Sequence, residues 1–400
     1  MRKFLRNGQL AETPVERSEA QTSTSLPQDG RALLVTPRLT GRDGISNASR
    51  QVAHFILNNS CHFRTVLVWS LADEKGPWES ISIEGFSSAR SSLLRRALTQ
   101  TLVSARDLFI FMLHVHLAPL ALPMVARGAQ LVTFLHGVEC WKKLNLLQRK
   151  AVQCSSFVIA NSEHTRRKFL TFNPEFRDQD IQVCLLGADV VSSPMAARDG
   201  KPRPFALIVG RMDAGERYKG HDLLLELWPR LMSEVPGARL VVVGDGTDLA
   251  RLRSKALDLG LETVVEFAGN ISDERLYTLY RDCSFFEMPS QGEGFGLVFL
   301  EAMRAGKPCI GAEGAAEEII EHGVSGYIVK PQCSDELVEH MKRLFVDSSL
   351  REQMGNAARQ RFESNFTMDQ FQRRLLSALT CRKDGQHRNS SVFRLRARGA

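Results

Sequence analysis

The chain has 400 residues, a hydrophobic fraction of 43% and a formal net charge of +7. This length excludes a single ordinary domain and predicts about two, and the apolar content is enough for sizeable buried cores. The positive charge favours anionic partners without choosing among nucleotide phosphates, lipid headgroups and nucleic acid.

The predicted elements begin after a polar lead-in. Residues 1–29 are rich in Ser, Thr, Gln, Glu and Pro, and we expect a disordered extension there. Its basic start has no apolar run behind it, so a secretory signal is not expected. The most apolar window, 108–126, contains two histidines and two prolines. It therefore predicts a buried strand and a loop, because a spanning helix needs about 20 clean apolar residues.

The first half then alternates apolar runs with amphipathic stretches. Strands are predicted at 32–36, 65–69, 108–113, 131–135 and 157–160, and helices at 46–58, 89–103, 143–153 and 163–170. Continuous apolar strands separated by helices are typical of a parallel sheet that is covered on both faces.

The same rhythm restarts after a break at 201–204, where Lys-Pro-Arg-Pro follows several turn residues. Strands are predicted at 205–209, 240–243, 264–267, 284–287 and 308–311, and helices at 222–235 and 367–379. The sequence thus predicts an α/β fold of two doubly wound Rossmann-like domains facing across a cleft. Ligands of such sheets bind at the carboxyl ends of the strands.

Domain boundaries follow from these patterns. The N-terminal domain is predicted at 30–193, a linker at 194–203 and the C-terminal domain at 204–362. A C-terminal helix is predicted at 363–381 and a basic, mobile tail at 382–400.

Two glutamates, Glu293 and Glu301, form the most informative polar feature. A glycine-rich turn opens the segment, and an apolar stretch carries the second carboxylate a little over two helical turns later. Glycines in such a turn let backbone N–H groups approach an anion at the helix N-terminus. Carboxylates beside an anion site suit a sugar nucleotide, although paired carboxylates are also typical of a hydrolase that uses an acid and a nucleophile.

Together with further motifs, this segment resembles the signature of family-four retaining glycosyltransferases of the GT-B architecture. The resemblance covers residues 31–380 and extends to bacterial mannosyl and glucosyl transferases of surface-polysaccharide assembly. It rests on Val209-Gly-Arg211, Lys219-Gly-His-Asp222, Val243-Gly-Asp-Gly246, Gly314-Ala-Ala-Glu-Glu318, His136-Gly-Val-Glu139, Asn161, Ser162, Thr165 and Asp43-Gly44-Ile45. Ala315 and Ala316 stand where the family commonly has a second glycine.

The resemblance implies a role for each residue of a catalytic group. Arg211 and Lys219 would stabilise the departing nucleoside diphosphate, Glu293 would hold hydroxyls of the transferred sugar, and His136 would touch that sugar near the acceptor hydroxyl. The donor site would also include Glu301, which accepts from the ribose hydroxyls, with Gly294, Phe295, Gly296, Leu297 and Gly44. Without the resemblance, each residue also has a structural interpretation. Arg211 and Lys219 fit ordinary surface charge, and Glu293 fits a helix cap. Glu301 fits a buried ion pair, and His136 fits a structural histidine.

The implied reaction is a retaining, metal-independent transfer of a hexose, with mannose or glucose favoured. The donor would be GDP-mannose or UDP-glucose, the acceptor a glycan or lipid-linked molecule, and the pathway polysaccharide biosynthesis. No separate cofactor and no metal site are expected, since the two cations replace a metal. The alternatives are a sugar-nucleotide epimerase of similar architecture and a non-catalytic sugar-nucleotide-binding protein.

Positive charge is concentrated in the first half. Residues 90–177 carry 13 lysines and arginines against four acidic residues. A basic, partly amphipathic acceptor domain fits a peripheral contact with an anionic membrane; well-hydrated helices of a soluble enzyme are the alternative. No nucleic-acid motif is present, so nucleic acid is not an expected partner. With eight scattered cysteines, we expect a cytoplasmic protein, peripheral on the inner face of the plasma membrane.

Overall fold

The computed structural model of the protein describes residues 29–103, 105–189, 204–331 and 333–380. The predicted N-terminal extension, apart from Asp29, lies outside the described residues. The predicted linker and the predicted basic tail lie outside them as well.

The first half of the chain forms an eight-stranded sheet in the order β3-β4-β2-β1-β5-β6-β7-β8. Its strands are β1 (Gly30–Thr36), β2 (Phe63–Ser70), β3 (Gly76–Trp78), β4 (Ile81–Gly85), β5 (Leu108–Met112), β6 (Gln130–Leu135), β7 (Phe157–Ala160) and β8 (Ile181–Val183). Neighbouring strands pair in parallel, except for the β3–β4 hairpin at one edge. The central strands β1 and β5 are buried, apart from Arg31 near the start of β1, because helices cover both faces.

Five helices accompany this sheet. They are α1 (Gly44–Asn58), α2 (Arg90–Gln100), α3 (Leu122–Val125), α4 (Leu146–Gln153) and α5 (Glu163–Phe172). Asp43 caps α1 by accepting from the Ser46 amide, and Ser162 caps α5 by accepting from the Thr165 amide. A 3₁₀ turn at Ala118–Ala121 precedes α3.

The second half forms a six-stranded parallel sheet in the order β11-β10-β9-β12-β13-β14. Its strands are β9 (Phe205–Val209), β10 (Arg239–Val243), β11 (Val265–Gly269), β12 (Phe285–Met288), β13 (Cys309–Ala312) and β14 (Gly326–Val329). Its helices are α6 (His221–Glu234), α7 (Leu249–Asp258), α8 (Asp273–Asp282), α9 (Leu297–Arg304), α10 (Ala316–Ile319), α11 (Ser334–Val346), α12 (Ser348–Asn365) and α13 (Met368–Thr380).

The final helix returns to the first half of the chain. Thr367 forms a parallel bridge with Ala188, and Arg374 donates to the Leu185 carbonyl at 3.1 Å. A Cβ atom on Gly187 would lie 2.7 Å from the Thr367 carbonyl oxygen, so the backbones are in close contact. One apolar cluster consequently runs from the α1 face of the first sheet, past Phe371 on α13, into the second half.

The predicted α/β fold with two Rossmann-like sheets is confirmed, and so are the strands that carry long apolar runs. The short strands β3, β4, β8 and β14 were not predicted. The loop expected after β5 is wrong in part, because it contains the 3₁₀ turn and α3. None of the helices in the described part of the chain combines the length and the apolar character needed to cross a bilayer.

Candidate active site

The carboxyl ends of the two sheets meet where the β6–α4 connection touches the loop between β12 and α9. A Cβ atom on Gly294 would lie 1.9 Å from the His136 carbonyl oxygen and 2.8 Å from the Gly137 Cα, so only glycine fits there. The predicted N-terminal histidine and the predicted donor loop are therefore in direct backbone contact.

Three polar residues of the first half hold this contact together. The Ser162 and Thr165 hydroxyls donate to the Gly294 carbonyl at 2.6 and 3.0 Å. The Asn161 amide donates to the His136 carbonyl at 2.7 Å. All three belong to the motifs on which the family resemblance rests. The structure places them as supports of the loop, with Ser162 also serving as the α5 cap.

A cluster of four charged side chains lies on the C-terminal side of the cleft. The Lys219 Nζ is 3.5 Å from both the Glu216 Oε2 and the Glu293 Oε1. Arg211 pairs with the other oxygen of Glu216. The Lys219 side chain is only 15% exposed, whereas Arg211 is 56% exposed. The structure thus brings together Arg211, Lys219 and Glu293, as the resemblance implied.

Glu216 and Tyr218 were not predicted as site residues. Glu216 pairs with both Arg211 and Lys219. The Tyr218 ring packs against Gly292 so closely that a Cβ atom there would lie 2.5 Å from it. Burial, followed by the charges of Glu216 and Glu293, raises the pKa of Tyr218 to about 12. The available signal was the spacing of Glu216 three residues before Lys219, which places the two side chains close together in a single helical turn.

Glu301 projects from α9 toward Tyr280 on α8. Burial raises the pKa of the Glu301 carboxyl, and Tyr280 and Arg304 act in the opposite direction. The Tyr280 hydroxyl is buried and makes no well-formed hydrogen bond within the described residues. Burial, and then the charge of Glu301, raises its pKa. A sugar hydroxyl that donated to Glu301 would stabilise the ionised carboxylate.

The loop before α9 contributes backbone groups rather than side chains. Gly296 precedes α9 with a φ of 99°, in the left-handed region that favours glycine. This turn leaves the first amides of α9, beginning with Leu297, without partners inside the helix. The Phe295 ring is buried and 6.4 Å from Phe366, so this residue faces the core through its side chain.

His136 is buried and neutral in the cleft wall. Its ring stacks on Phe134 with centroids 6.0 Å apart, and neither ring nitrogen has a hydrogen-bond partner among the described residues. Burial, and then the neighbouring His114, lowers the pKa of His136 to about 3. An unpartnered neutral imidazole is free to exchange a hydrogen bond with a hydroxyl of a ligand.

His114 and His116 lie beside this imidazole. Strand β5 ends at Met112, and both histidines follow it in a turn. Their ring centroids are 4.7 Å apart, and the His116 amide donates to the His114 Nδ1 at 3.2 Å. Burial and then His116 lower the pKa of His114 to about 4, so the pair adds polar groups to the cleft without fixed charge.

Gly44 is the exposed first residue of α1, and a Cβ atom there would meet nothing within 4 Å. The preceding Arg42 reaches the second half, where it donates to the Ile271 carbonyl at 3.0 Å. The predicted glycine-rich loop therefore lies at the junction of the halves, next to the β11–α8 connection.

Glu318 joins the halves a second time. Its carboxylate oxygens accept from the Glu163 and His164 amides, each at 2.8 Å, and so cap α5 from the opposite half. A small pocket nearby is lined by residues of both halves, including His164, Ser290, Glu293 and Gly314. The motif containing Glu318 was found in the sequence, but this capping role was not predicted.

No group of three His, Cys, Asp or Glu side chains within the described residues is placed to bind a metal ion. The chain does contain an Asp-x-Asp sequence at Asp178-Gln179-Asp180. It precedes β8 and therefore lies at the amino edge of the first sheet, opposite the cleft. Metal independence stays a prediction.

The sequence matches the family model "Glycosyl transferases group 1" over residues 196–361. Two curated relatives are each 32% identical. The sulfoquinovosyl transferase of Arabidopsis thaliana aligns over 48% of this chain and 34% of its own length. A GDP-mannose-dependent phosphatidylinositol monomannoside mannosyltransferase of Mycobacterium tuberculosis aligns over 61% of this chain and 68% of its own length.

Solved structures give the same architecture. HepE of Anabaena, crystallised with UDP and also with UDP-glucose, superposes on 88% of this chain at a TM-score of 0.70 and 22% identity, and the match covers 99% of HepE. At this identity the likeness shows the fold alone, which is the GT-B arrangement of two Rossmann-like sheets. The chain spans from a third to two thirds of the length of the two curated relatives.

Proposed function

The chain belongs to the group 1 glycosyltransferases, and we propose that it is a retaining enzyme that moves a hexose from a nucleotide diphosphate sugar to a glycan or lipid-linked acceptor. The observation that carries this proposal is the position of Lys219. Its Nζ lies 3.5 Å from Glu216 and from Glu293, next to the loop on which the two halves meet.

The charged cluster is suited to a diphosphate leaving group. Arg211 and Lys219 are already oriented by carboxylates, so binding of a more strongly charged diphosphate requires little reorganisation. As negative charge develops on the departing phosphate oxygen, the two cations stabilise it. The same arrangement supports metal independence, since these side chains supply positive charge where a metal would otherwise act.

The remaining site residues hold the sugar and the ribose. Glu293 lies within reach of the transferred sugar, where it accepts from hydroxyls and stabilises positive charge at the anomeric carbon. Glu301 accepts from the ribose hydroxyls, and the backbone amides from Gly294 to Leu297 face the phosphates. The neutral His136 exchanges a hydrogen bond with the transferred sugar beside the acceptor.

The reaction then proceeds on one face of the sugar. The acceptor oxygen forms a bond to the anomeric carbon while the bond from that carbon to the phosphate oxygen breaks. The departing phosphate oxygen takes the proton of the acceptor hydroxyl, so no separate base is required. The product keeps the anomeric configuration of the donor.

GDP-mannose is the first donor to test and UDP-glucose the second. The Mycobacterium relative supports the first choice, since its name gives GDP-mannose as donor, and the HepE complex with UDP-glucose supports the second. The name of the Mycobacterium relative gives a phosphatidylinositol monomannoside as its acceptor, which supports a lipid-linked acceptor for this chain, and the HepE complexes name no acceptor.

A panel of nucleotide sugars tests the proposal. We expect one donor to raise the melting temperature and to release its nucleoside diphosphate slowly in the absence of acceptor, with or without a chelator. Interconversion of the donor sugar without diphosphate release would instead identify an epimerase, and thermal stabilisation without any turnover would identify a binding protein. Loss of activity on chelation would overturn metal independence.

A further inference from the structure

The outer side of the first sheet carries a continuous helical layer. We define the α2–α4 layer as α2, the 3₁₀ turn Ala118–Ala121, α3, α4 and the residues that directly flank them. Its members pack on one face of the sheet through a shared apolar cluster that includes Leu93, Ala97, Ala121, Met124 and Ala151. Their opposite faces therefore point away from the sheet.

Helix α2 carries a second apolar stripe that this core does not use. Leu94, Leu98 and Leu102 follow at intervals of four residues and are 50%, 53% and 80% exposed. This spacing places them along one side of the helix and its C-terminal turn. Isolated exposed leucines are ordinary, but an aligned row of three is a surface that lacks a partner among the described residues.

The start of α4 repeats this pattern. Leu146 and Leu147 are the first two residues of the helix and are 79% and 62% exposed. The capping box between Asn145 and Gln148 fixes this end of the helix, so the two leucines are held outward. If these two helix positions faced only water, polar residues would be expected there.

Charge identifies the partner of this surface. The four elements of the layer contain no acidic residue. The exposed cations in and beside them are Arg90, Arg95, Arg127, Lys142, Lys143 and Lys150. Arg96 and Arg149, by contrast, form ion pairs with Glu84 and Glu175. Exposed leucines among unpaired cations match the interface of a bilayer with anionic headgroups.

The layer also reaches the cleft. The connection that begins at His136 and Gly137 continues through Lys142 and Lys143 to the exposed leucines of α4. A bilayer resting on the α4 end would present the headgroup of a lipid to the cleft wall that contains His136.

We propose that the α2–α4 layer docks the protein on an anionic lipid leaflet, with the exposed leucines inserted between headgroups and the cations against lipid phosphates. The consequence for the acceptor, a lipid-linked molecule taken from that leaflet, rests on the proposed function. The docking itself does not depend on it.

Vesicle co-sedimentation of the full chain tests the docking. We expect binding to vesicles that contain phosphatidylglycerol and little binding to pure phosphatidylcholine. Replacing Leu94, Leu98 and Leu102 with Ser should weaken binding roughly ten-fold or more, because the inserted apolar area is lost. Replacing Leu257 and Leu259, exposed leucines of the second half, with Ser is the matched control and should leave binding unchanged.

Two readouts separate folding and function from docking. The thermal shift with a nucleoside diphosphate should be equal in the triple variant and the wild type, which shows that the variant is folded. Binding to phosphatidylglycerol vesicles by an inactive protein would keep the docking and remove the proposed function. Equal vesicle binding by the triple variant, absence of vesicle binding by the wild type, or binding to RNA that outcompetes the vesicles would overturn the docking.

Discussion

The two halves of the molecule hold their cleft residues in opposite ways. On the C-terminal side, Lys219 is fixed by charged partners, Glu216 and Glu293. On the N-terminal side, His136 is buried, neutral and without a partner for its ring. The neighbouring side chains of Asn161, Ser162 and Thr165 donate to backbone carbonyls.

This difference assigns the two halves to different ligands. Mutually paired charges suit a ligand that carries several charges of its own, because the cluster can exchange partners without being rebuilt. A neutral wall suits a hydroxyl, which needs hydrogen-bonding groups without a fixed charge. A separate set of exposed cations, which includes Arg90, Arg95 and Lys150, lies on the α2–α4 layer and not in the charged cluster of the cleft.

The largest expected effect comes from removing the central cation. Lys219→Ala should lower turnover by about 10²- to 10³-fold, as expected when one preorganised charge is withdrawn from a leaving group. The measurement is the initial rate at saturating donor. Lys255→Ala is the matched control, since Lys255 pairs with Asp222 and Glu226 in the same half, outside the cleft cluster. Near-normal turnover of the Lys219 variant would refute the diphosphate role.

The next effect concerns the nucleotide. Glu301→Ala should weaken binding of the free nucleoside diphosphate by roughly 30-fold, because hydrogen bonds to a charged acceptor are lost. Isothermal titration calorimetry measures this affinity without any acceptor. Glu274→Ala changes an exposed carboxylate on α8 and should have no effect. Unchanged affinity of the Glu301 variant would contradict the proposed ribose role of Glu301.

The sequence points to the cleft residues of the second half more clearly than to those of the first half, for a physical reason. Phosphate and sugar recognition uses glycines and charges at short spacings along the chain, as in the segment from Glu293 to Glu301, and such spacings are visible in a sequence. The buried strands are visible for a similar reason, because helices on both faces require continuous apolar runs. Short edge strands such as β3 and β8 bury few side chains and leave a weak pattern.

Contacts between the halves are invisible to such patterns. The bonds from Ser162 and Thr165 to Gly294 join residues about 130 positions apart in the chain. The cap that Glu318 places on α5 is of the same kind. Each depends on how two domains face one another, which no local propensity encodes. The resemblance identified the motifs, but the structure was needed to show that several of them bind each other.

A smaller effect follows from this second contact. Glu318→Ala should lower the melting temperature, since the α5 amides lose a charged cap worth about 1 to 2 kcal/mol. Turnover should fall as well, because this cap joins the first half of the chain to the second half across the cleft. Glu317→Ala is the control: its carboxylate accepts from the Gly314 amide at 2.8 Å, within one half. Equal behaviour of the two variants would show that the contact between the halves has no special effect.

The smallest effect is a pH dependence that again contrasts the halves, and it rests on one buried titratable group from each: Glu287 in the second half and His136 in the first. Burial raises the pKa of Glu287 to about 8 from 4.5, and neither of its oxygens has a hydrogen-bond partner in the part of the chain that the structure describes. The folded state therefore holds a proton that the unfolded state loses above pH 4.5, and stability falls as pH rises through this window. His136 acts in the opposite sense: its pKa of about 3 against 6.5 makes stability fall as pH drops through that range.

Glu287→Gln keeps the size of the side chain and removes the ionisation. It should flatten the fall of the melting temperature between pH 4.5 and 8 and leave the fall between pH 6.5 and 3 in place. The corresponding slope of the free energy of unfolding should change by at most about 1.4 kcal/mol per pH unit. His136→Gln should do the reverse. Thermal unfolding across both windows measures the two slopes in parallel. If Glu287→Gln leaves the slope between pH 4.5 and 8 unchanged, Glu287 is already ionised or hydrated in the folded protein. The contrast between a charged half and a neutral half would then extend into the core of the second sheet.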